Sequence, residues 1–264
     1  MNYNHEFHAG SFSDIIKHLT LIHEIEYYKL KNKPIVFFDT HAGQGIYDLY
    51  NEKSQRTGEY LTGINLVYKE LKQEFPVFCK LIESLNVNSE IRYYPGSPYI
   101  IKNLKRESDK GIFIEKNKVI YEKLLKLKDT NILIHNRDGY EALNALLPLE
   151  EKRGVIIIDP AFEEKNEFIQ IKTALEKLLK KFSTPTIIIW FPIKDEEIVD
   201  SFLDNINQLT KNYIYLITEF DNIEQNSSGM KKCGLIVINP TWNLNKFWND
   251  IKSKLKSYSF KIYP

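Results

Sequence analysis

The sequence has little cysteine, little proline or glycine, and no long apolar run. Of its 264 residues, two are Cys, 10 are Pro and 11 are Gly. Cys79 and Cys233 are too few to cross-link such a chain or to ligate zinc alone, so we expect two inert thiols in a reducing compartment. The longest apolar stretch, near residues 187–192, is too short to span a bilayer, and the N-terminus has no signal pattern. We therefore expect a cytoplasmic protein without a membrane partner.

Charge of either sign is not in excess. The chain carries 36 Lys and Arg against 35 Asp and Glu, a net charge of +1 at pH 7. Overall charge therefore indicates no nucleic-acid partner, and any such binding would depend on local patches. The lysines near the C-terminus form one candidate patch, although a solvated surface is the simpler interpretation. With 43% hydrophobic and 27% charged residues, we expect one globular domain over residues 1–264.

Short apolar segments alternate with helical patterns along the chain. The segments occupy residues 35–39, 111–115, 131–135, 155–159, 186–191, 213–219 and 235–239. Each is apolar on successive residues, which is typical of parallel strands covered on both faces. The last two segments resemble the arms of a long hairpin, so one strand should run antiparallel. The pattern predicts a Rossmann-like α/β fold with a mostly parallel, seven-stranded sheet.

The interval after the first strand is too long for a simple crossover. About 70 residues separate the strand ending at Asp39 from the strand starting at Gly111, against about 30 for a whole strand–helix–strand unit. Helical patterns occur within this interval at residues 59–72, 77–85 and 98–106. We therefore expect a small helical insertion over residues 50–95.

The first strand leads into a turn of the kind that binds adenosine cofactors. Asp39 ends the strand, and Gly43 and Gly45 follow it, which lets the backbone approach a ligand beyond the strand ends. Asp48 stands where the dinucleotide fingerprint has its third glycine, and this disfavours NAD or FAD. Glu115, at the end of the second strand, could accept both ribose hydroxyls, with a solvated strand-end acid as the alternative.

Asp138 precedes a helix that follows the third strand. Glu141 lies three residues later, so a capping box explains the pair without a ligand. In an adenosine-binding sheet, Asp138 would lie beside the adenine amino group. The two roles are compatible.

The sharpest motif is Asp159-Pro160-Ala161-Phe162, directly after the fourth strand. An exocyclic adenine amine is a poor nucleophile, because its lone pair is delocalised into the ring. The Asp159 carboxylate and the Pro160 carbonyl could accept hydrogen bonds from both amine N–H groups and aim the lone pair at an electrophilic methyl group. Phe162 offers a face on which the base could stack. A simple strand-end turn is the alternative, and we interpret the similar Asn239-Pro240-Thr241-Trp242 as such a strand exit.

The N-terminal segment is polar before the first strand begins. His5, His8 and His18 match no compact zinc spacing, so we expect no metal. Asp14 and Lys17 share a helical face with His18, and a surface ion pair explains them adequately. The functional alternative is an aromatic and basic arm that lies over an active site.

Five motifs, in this order, resemble those of a known family. They are Phe7-His8-Ala9-Gly10 with Asp14 and Lys17-His18; Asp39-Thr40-His41-Ala42-Gly43 with Gly45; Arg56-Thr57-Gly58-Glu59-Tyr60; Tyr93-Tyr94-Pro95-Gly96-Ser97-Pro98; and Asp159-Pro160. Together they are similar to the bacterial 23S ribosomal RNA adenine-N6 methyltransferases, class I enzymes that use S-adenosylmethionine. The resemblance covers essentially the whole chain.

The resemblance implies a function for individual residues. It implies that the cofactor site contains His18, His41, Ser97, Glu115, Asp138, Gly139 and Asp159. It also implies that Asp159 is the catalytic acceptor, and that the arm residues Tyr3, His5 and Lys17 lie near the substrate adenosine with Pro160 and Phe162. The expected partner is 23S ribosomal RNA with a single-stranded or flipped adenosine, bound by a monomer.

One departure from the family leaves alternatives open. The family pattern is Asp-Pro-Pro-Tyr, whereas Ala161 and Phe162 occupy the last two positions here. Alanine does not fix φ, so the turn is less constrained. One alternative is therefore a catalytically impaired protein that binds S-adenosylmethionine and RNA. Another is an N6-adenine DNA methyltransferase, although no separate DNA-reading domain is evident.

Overall fold

The computed structural model describes residues 5–87, 90–148, 151–220 and 230–263. Tyr3, which the resemblance assigns to the substrate side, lies outside these ranges. Cys79 and Cys233 are both buried free thiols, as expected. None of the helices in the described ranges is long and apolar enough to cross a membrane.

Helices and strands alternate along the described chain. The α-helices are α1 (Phe12–Lys29), α2 (Glu52–Thr57), α3 (Glu59–Thr62), α4 (Ile64–Glu74), α5 (Pro76–Glu83), α6 (Ser97–Leu104), α7 (Lys118–Leu124), α8 (Gly139–Leu146), α9 (Glu167–Lys181), α10 (Glu196–Leu209) and α11 (Leu244–Lys254). The strands are β1 (Val36–Asp39), β2 (Ile46–Asp48), β3 (Tyr93–Pro95), β4 (Lys110–Ile114), β5 (Ile132–His135), β6 (Gly154–Ile158), β7 (Thr186–Pro192), β8 (Tyr213–Phe220), β9 (Lys232–Ile238) and β10 (Tyr258–Tyr263). Short 3-10 helices occupy His5–Phe7 and Leu125–Leu127.

Eight strands of the described residues form one sheet, in the order β10-β8-β9-β7-β6-β1-β4-β5. The five strands from β7 to β5 in this order are parallel. β8 and β9 pair antiparallel, as the predicted hairpin requires, and β9 also pairs antiparallel with β7. The mostly parallel sheet is therefore confirmed.

The predicted number of strands is wrong, because β10 adds an eighth strand beside β8. Both β9 and β10 run against the parallel strands, where the sequence predicts one such strand. In β10, Tyr258 and Phe260 are buried whereas Lys261 is exposed. The edge strand therefore lacks the continuous apolar run by which the inner strands are recognised.

The inner strands pack against helices on both faces. In β1, Phe37 and Phe38 are both fully buried, but they belong to two different apolar clusters because successive side chains of a strand point to opposite faces. The first cluster includes residues of α1, α6 and α11, and the second includes residues of α8, α9 and α10. This double coverage explains why these strands are apolar on successive residues.

The helices α2 to α5 lie within the range predicted for the insertion. They are enclosed by β2 and β3, which pair antiparallel with Tyr47 opposite Tyr94. Through β2 this small ribbon connects the insertion to the glycine-containing turn after β1, and through β3 it connects the insertion to α6.

Glu24 on α1 is a buried carboxyl group. It lies at one edge of the sheet, and the predicted site lies at the opposite edge, where the parallel strands have their carboxyl ends. Its Oε1 accepts a hydrogen bond of 2.9 Å from the Thr241 hydroxyl, whereas its Oε2 has no partner within the described ranges. Burial raises the pKa of Glu24 to about 7, and the Thr241 hydrogen bonds oppose this only in part. Glu24 therefore remains protonated in the folded protein at a pH where an unfolded chain would have ionised it.

The variant Glu24→Gln should flatten the dependence of stability on pH. Because the pKa of Glu24 is about 7 when folded against a reference value of 4.5, the folded state binds more protons, and the free energy of unfolding should fall between these two pH values. This one group should account for about 3 kcal/mol of that fall. Denaturant unfolding from pH 4.5 to 8 measures it, with the exposed Glu26→Gln on the same helix as the control. Equal slopes in Glu24→Gln and wild type would contradict the assignment.

Candidate active site

A cavity of about 440 Å³ lies at the carboxyl ends of the parallel strands. Its wall is formed by residues that directly follow β1, β4, β5 and β6, together with residues of α1 and the loop before α6. Its lining includes His5, Lys17, His18, His41, Gly43, Tyr47, Ser97, Glu115, Lys116, Asp138, Gly139, Tyr140, Asp159, Pro160, Ala161 and Glu167. This position in a doubly wound sheet is where ligands bind.

The structure brings together nearly all of the residues that the sequence predicts for the site. Each residue predicted to bind the cofactor lines the cavity, and so do His5, Lys17 and Pro160 from the predicted substrate side. Phe162 is different, since its backbone is left-handed (φ 50°) and its ring packs against Phe168 and Trp190, at centroid distances of 4.9 and 5.8 Å. It is not among the lining residues, so its stacking on a base stays a prediction.

Glu115 holds the glycine turn that follows β1. Its Oε2 accepts a hydrogen bond of 3.1 Å from the Gly43 amide, and its Oε1 accepts one of 2.7 Å from the Asn117 amide. Gly43 has a φ of 64°, and a Cβ there would lie 2.1 Å from the Tyr47 hydroxyl, so only glycine fits. Burial raises the pKa of Glu115. The carboxylate is thus fixed at the cavity wall while its remaining lone pairs can accept further hydrogen bonds.

Asp138 is the N-cap of α8. Its Oδ1 accepts from the Tyr140 and Glu141 amides at 3.0 and 3.1 Å, which confirms the predicted cap. The reciprocal half of the capping box is wrong, because the Glu141 side chain pairs with Arg137 one turn away. Burial acts to raise the pKa of Asp138, but the Glu141 amide and the Lys116 ammonium group, 3.1 Å from Oδ2, lower it. Asp138 is therefore an ionised acceptor at the cavity wall.

The buried His18 and the half-buried His41 contribute neutral imidazoles to the cavity. Burial lowers the pKa of His18 to about 3 and that of His41 to about 4. His18 Nδ1 lies 3.0 Å from the Tyr94 hydroxyl, and His41 Nδ1 lies 2.7 Å from the Thr40 hydroxyl. Near neutral pH both rings are therefore uncharged, and each is held through one nitrogen.

A buried ion-pair network joins α1 to Asp159. The Lys17 ammonium group donates to Asp159 Oδ2 and, at 2.8 Å, to Asp14 Oδ1. Asp14 Oδ2 in turn accepts from the Gly10 amide at 3.1 Å and lies 3.0 Å from His5 Nε2. The side chains of Lys17 and Asp14 are only 5% and 1% exposed, so the predicted surface ion pair is wrong: this face of α1 turns towards the strand ends.

The network keeps its members charged despite their burial. Burial acts to lower the pKa of Lys17, but Asp14 and Asp159 raise it above its usual range. Burial acts to raise the pKa of Asp14, but His5 and Lys17 bring it well below its usual value. Two carboxylates on one ammonium group therefore hold Lys17 as a permanent cation in contact with Asp159.

Several cavity residues escape prediction from the sequence. Lys116 and Tyr140 directly follow the predicted residues Glu115 and Gly139. This adjacency in the sequence is the signal that could have identified them as cavity residues. The Tyr140 hydroxyl donates to Glu167 Oε1 at 2.7 Å, a contact that no local pattern reveals.

Asp39 acts from behind the cavity wall. It is fully buried and accepts 2.6 Å from the Ser97 hydroxyl, and burial raises its pKa to about 7. This hydrogen bond ties the end of β1 to the start of α6, and it fixes the orientation of Ser97 in the cavity.

Asn239 lies away from this cavity. It ends β9, which is antiparallel to β7, so it leaves the sheet at the opposite edge from Asp159. Its side-chain amide donates to the carbonyls of Ser183 and Pro185 at 2.9 Å, and its φ is 50°. The interpretation of Asn239 as a structural strand exit is confirmed.

The sequence is similar to a known protein family and to individual proteins of known name. The model of the family described as "Ribosomal RNA large subunit methyltransferase D, RlmJ" matches residues 32–259. "Ribosomal RNA large subunit methyltransferase J" of Escherichia coli (strain K12) is 33% identical over 100% of this chain and 95% of its own length. The protein of that name from Haemophilus influenzae is 32% identical, over 95% of this chain and 91% of its own length.

A crystal structure of a protein from Legionella pneumophila superposes with a TM-score of 0.86. It is 33% identical, and the match covers 96% of this chain and 97% of that one. The class I methyltransferase fold and the resemblance inferred from the five motifs are confirmed. On the match to the family model and two relatives above 30% identity over nearly their full length, the chain belongs to the RlmJ family of ribosomal RNA large subunit methyltransferases.

Proposed function

We propose that this protein transfers a methyl group from S-adenosylmethionine to the N6 amine of an adenosine in 23S ribosomal RNA. The observation that carries the proposal is the placement of Asp159 and Pro160 together at the cavity wall, at the end of a central parallel strand. The names of the two curated relatives support ribosomal RNA as the substrate class.

The cavity has the acceptors that an adenosine cofactor needs. S-adenosylmethionine, when bound, supplies an electrophilic methyl group on a positively charged sulfur. We assign its binding to the seven cavity residues His18, His41, Ser97, Glu115, Asp138, Gly139 and Asp159. Glu115 and Asp138 end neighbouring strands, where carboxylates suit ribose hydroxyls and an adenine amine, and the cavity volume falls within the usual range for small-molecule sites.

Asp159 presents one carboxylate oxygen to the substrate. Lys17 occupies Oδ2, whereas Oδ1 has no protein partner within the described ranges and can accept a hydrogen bond from one N–H of the adenine amine. The Pro160 carbonyl can accept a hydrogen bond from the second N–H, so the nitrogen lone pair is turned out of the ring plane. The proton that the amine loses on methylation would pass to the Asp159 carboxylate. Lys17 and Asp14 fix the orientation of Asp159 before the substrate binds, which lowers the entropic cost of reaching the reactive geometry.

The substrate adenosine must be unpaired or flipped out, since pairing would engage its amine. His5, Lys17 and Pro160 line the cavity beside Asp159, and we assign them to the substrate side with Tyr3 and Phe162. Ala161 also lines the cavity, at the position where the family has a second proline. The replacement makes this part of the wall smaller, but both hydrogen-bond acceptors, Asp159 and Pro160, are still present.

Methyl transfer to RNA tests this function directly. The purified protein is incubated with S-adenosylmethionine and 23S ribosomal RNA from cells that lack the gene, and the RNA nucleosides are analysed by mass spectrometry. We expect one N6-methyladenosine per RNA molecule and none on duplex DNA offered in competition. Methylation of DNA alone would favour the DNA methyltransferase. Binding of S-adenosylhomocysteine without any transfer would favour the catalytically impaired binding protein.

A further inference from the structure

The segment before α1 is held by the helical insertion. We call residues 5–11 the N-terminal arm. The Ser54 hydroxyl of α2 donates to the Glu6 carbonyl at 2.6 Å, and the Thr57 hydroxyl donates to the Phe7 carbonyl. The Ile64 amide of α4 donates to the Gly10 carbonyl at 2.8 Å. The insertion therefore satisfies three backbone carbonyls of a segment that forms only one short 3-10 turn.

Two ion pairs join the same segments. His8 Nδ1 lies 2.9 Å from Glu59 Oε1, and Glu6 Oε2 lies 2.8 Å from Lys53 Nζ. Glu6 Oε1 also lies 2.9 Å from Lys123 Nζ of α7, so this carboxylate bridges two elements. A stretch of the arm from Glu6 to Gly10 is thus fixed at five points by residues 53–64.

Close packing reinforces these bonds. Gly63, between α3 and α4, approaches the arm so closely that a Cβ would lie 2.0 Å from the Gly10 carbonyl oxygen. A residue with a Cβ would clash at this position, so only glycine fits. The insertion backbone is therefore in direct contact with the arm backbone.

The arm delivers His5 to the active site. His5 lines the cavity and lies 3.0 Å from Asp14, which pairs with the Lys17 that contacts Asp159. Most of the proposed cofactor residues are supported differently, because His41, Glu115, Asp138 and Gly139 lie within four residues of the ends of β1, β4 and β5. Loss of contacts between insertion and arm should therefore disturb the substrate side and spare the cofactor side.

We propose that the helical insertion positions the N-terminal arm for the substrate adenosine, with Ser54 and Thr57 as positioning residues. This inference rests on the proposed function. It assigns to residues 53–64 a role in substrate engagement rather than in cofactor binding or in folding alone.

The hydroxyl of Thr57 allows a clean test. Thr57→Val removes the bond to the arm at nearly constant volume, whereas Thr62→Val removes a hydroxyl of the same insertion that donates to the Glu59 carbonyl of its own helix. We expect Thr57→Val to raise the KM for ribosomal RNA about three- to tenfold, the effect of one lost hydrogen bond. The Kd for S-adenosylhomocysteine should change less than about twofold, which is smaller than the effect of one lost hydrogen bond. Thr62→Val should leave both constants at the wild-type values, and Thr57→Ser should restore the KM.

Ser54→Ala provides a second variant, with Ser84→Ala as its control outside the arm contact. We expect the same rise in KM from Ser54→Ala, and a larger rise in the double variant. An unchanged KM in Thr57→Val and Ser54→Ala, with wild-type transfer intact, would overturn the inference but not the proposed function. A parallel loss of cofactor binding and thermal stability would also overturn it, because it would indicate a purely structural role.

Discussion

Replacing Asp159 with Asn is expected to lower the rate of methyl transfer by about 100- to 1000-fold, because the amine loses a charged acceptor at the reacting nitrogen. An asparagine can keep the side-chain shape, but it presents an NH2 group in place of one oxygen and no longer carries the charge that pairs with Lys17. Single-turnover transfer from S-adenosylmethionine to ribosomal RNA measures the effect. Cofactor binding should persist, since six other residues of the proposed set remain.

The substitution Asp159→Asn should also lower the stability of the fold. A carboxylate at a strand tip carries little core packing, and from the sequence alone we would expect no loss of stability. The structure changes that expectation, because Asp159 is one of two counter-ions of a buried lysine. We expect Asp159→Asn to cost about 1–3 kcal/mol of unfolding free energy, as for loss of a hydrogen bond to a charged group.

An exposed aspartate gives the control for both measurements. Asp204→Asn on α10 removes the same charge from the surface and should change neither transfer nor stability. Transfer by Asp159→Asn at the wild-type rate would remove the mechanism proposed for this site, whatever its effect on stability.

The sequence predicts the site where chain order alone determines position. Parallel strands place their carboxyl ends at one edge, so a residue directly after an apolar run, such as Glu115 or Asp159, must lie near the others. The same logic excludes Asn239, whose strand runs the opposite way. Local spacing also suffices for the cap at Asp138, because its partners are two and three residues away.

Contacts between distant segments are not predictable in this way. Lys17 and Asp159 are 142 positions apart, and helical spacing relates Lys17 to Asp14 without showing that the pair is buried. The burial follows from how α1 packs on the sheet, which depends on apolar residues along the whole helix. The hydrogen bonds from Ser54 and Thr57 to arm carbonyls are equally unpredictable. Every residue has a backbone carbonyl, so no residue type in the sequence indicates which carbonyl accepts.

Lys17→Met should be the most damaging single substitution in the network. It keeps the length of the side chain but leaves Asp14, only 1% exposed, and Asp159 without their shared cation. We expect a loss of about 3–5 kcal/mol in the free energy of unfolding, the usual cost of removing one partner from a buried ion pair. Methyl transfer should fall as well, because Asp159 loses the contact that fixes Oδ2 and leaves Oδ1 for the amine.

The pH dependence of Lys17→Met identifies the cause of this loss. In the wild type the pKa of Asp14 is depressed, so its contribution to stability is present above the unfolded value near 3.8 and is lost as pH falls below it. Without Lys17, burial of Asp14 is opposed by His5 but no longer by the ammonium group, so the pKa of Asp14 should rise and protonation of Asp14 should favour the folded state. The stability difference between variant and wild type should therefore be smaller at pH 5 than at pH 8, measured by urea unfolding with the exposed Lys31→Met as control. A difference that is equal at both pH values would mean that lost packing, rather than the loss of the cation beside Asp14, destabilises the variant.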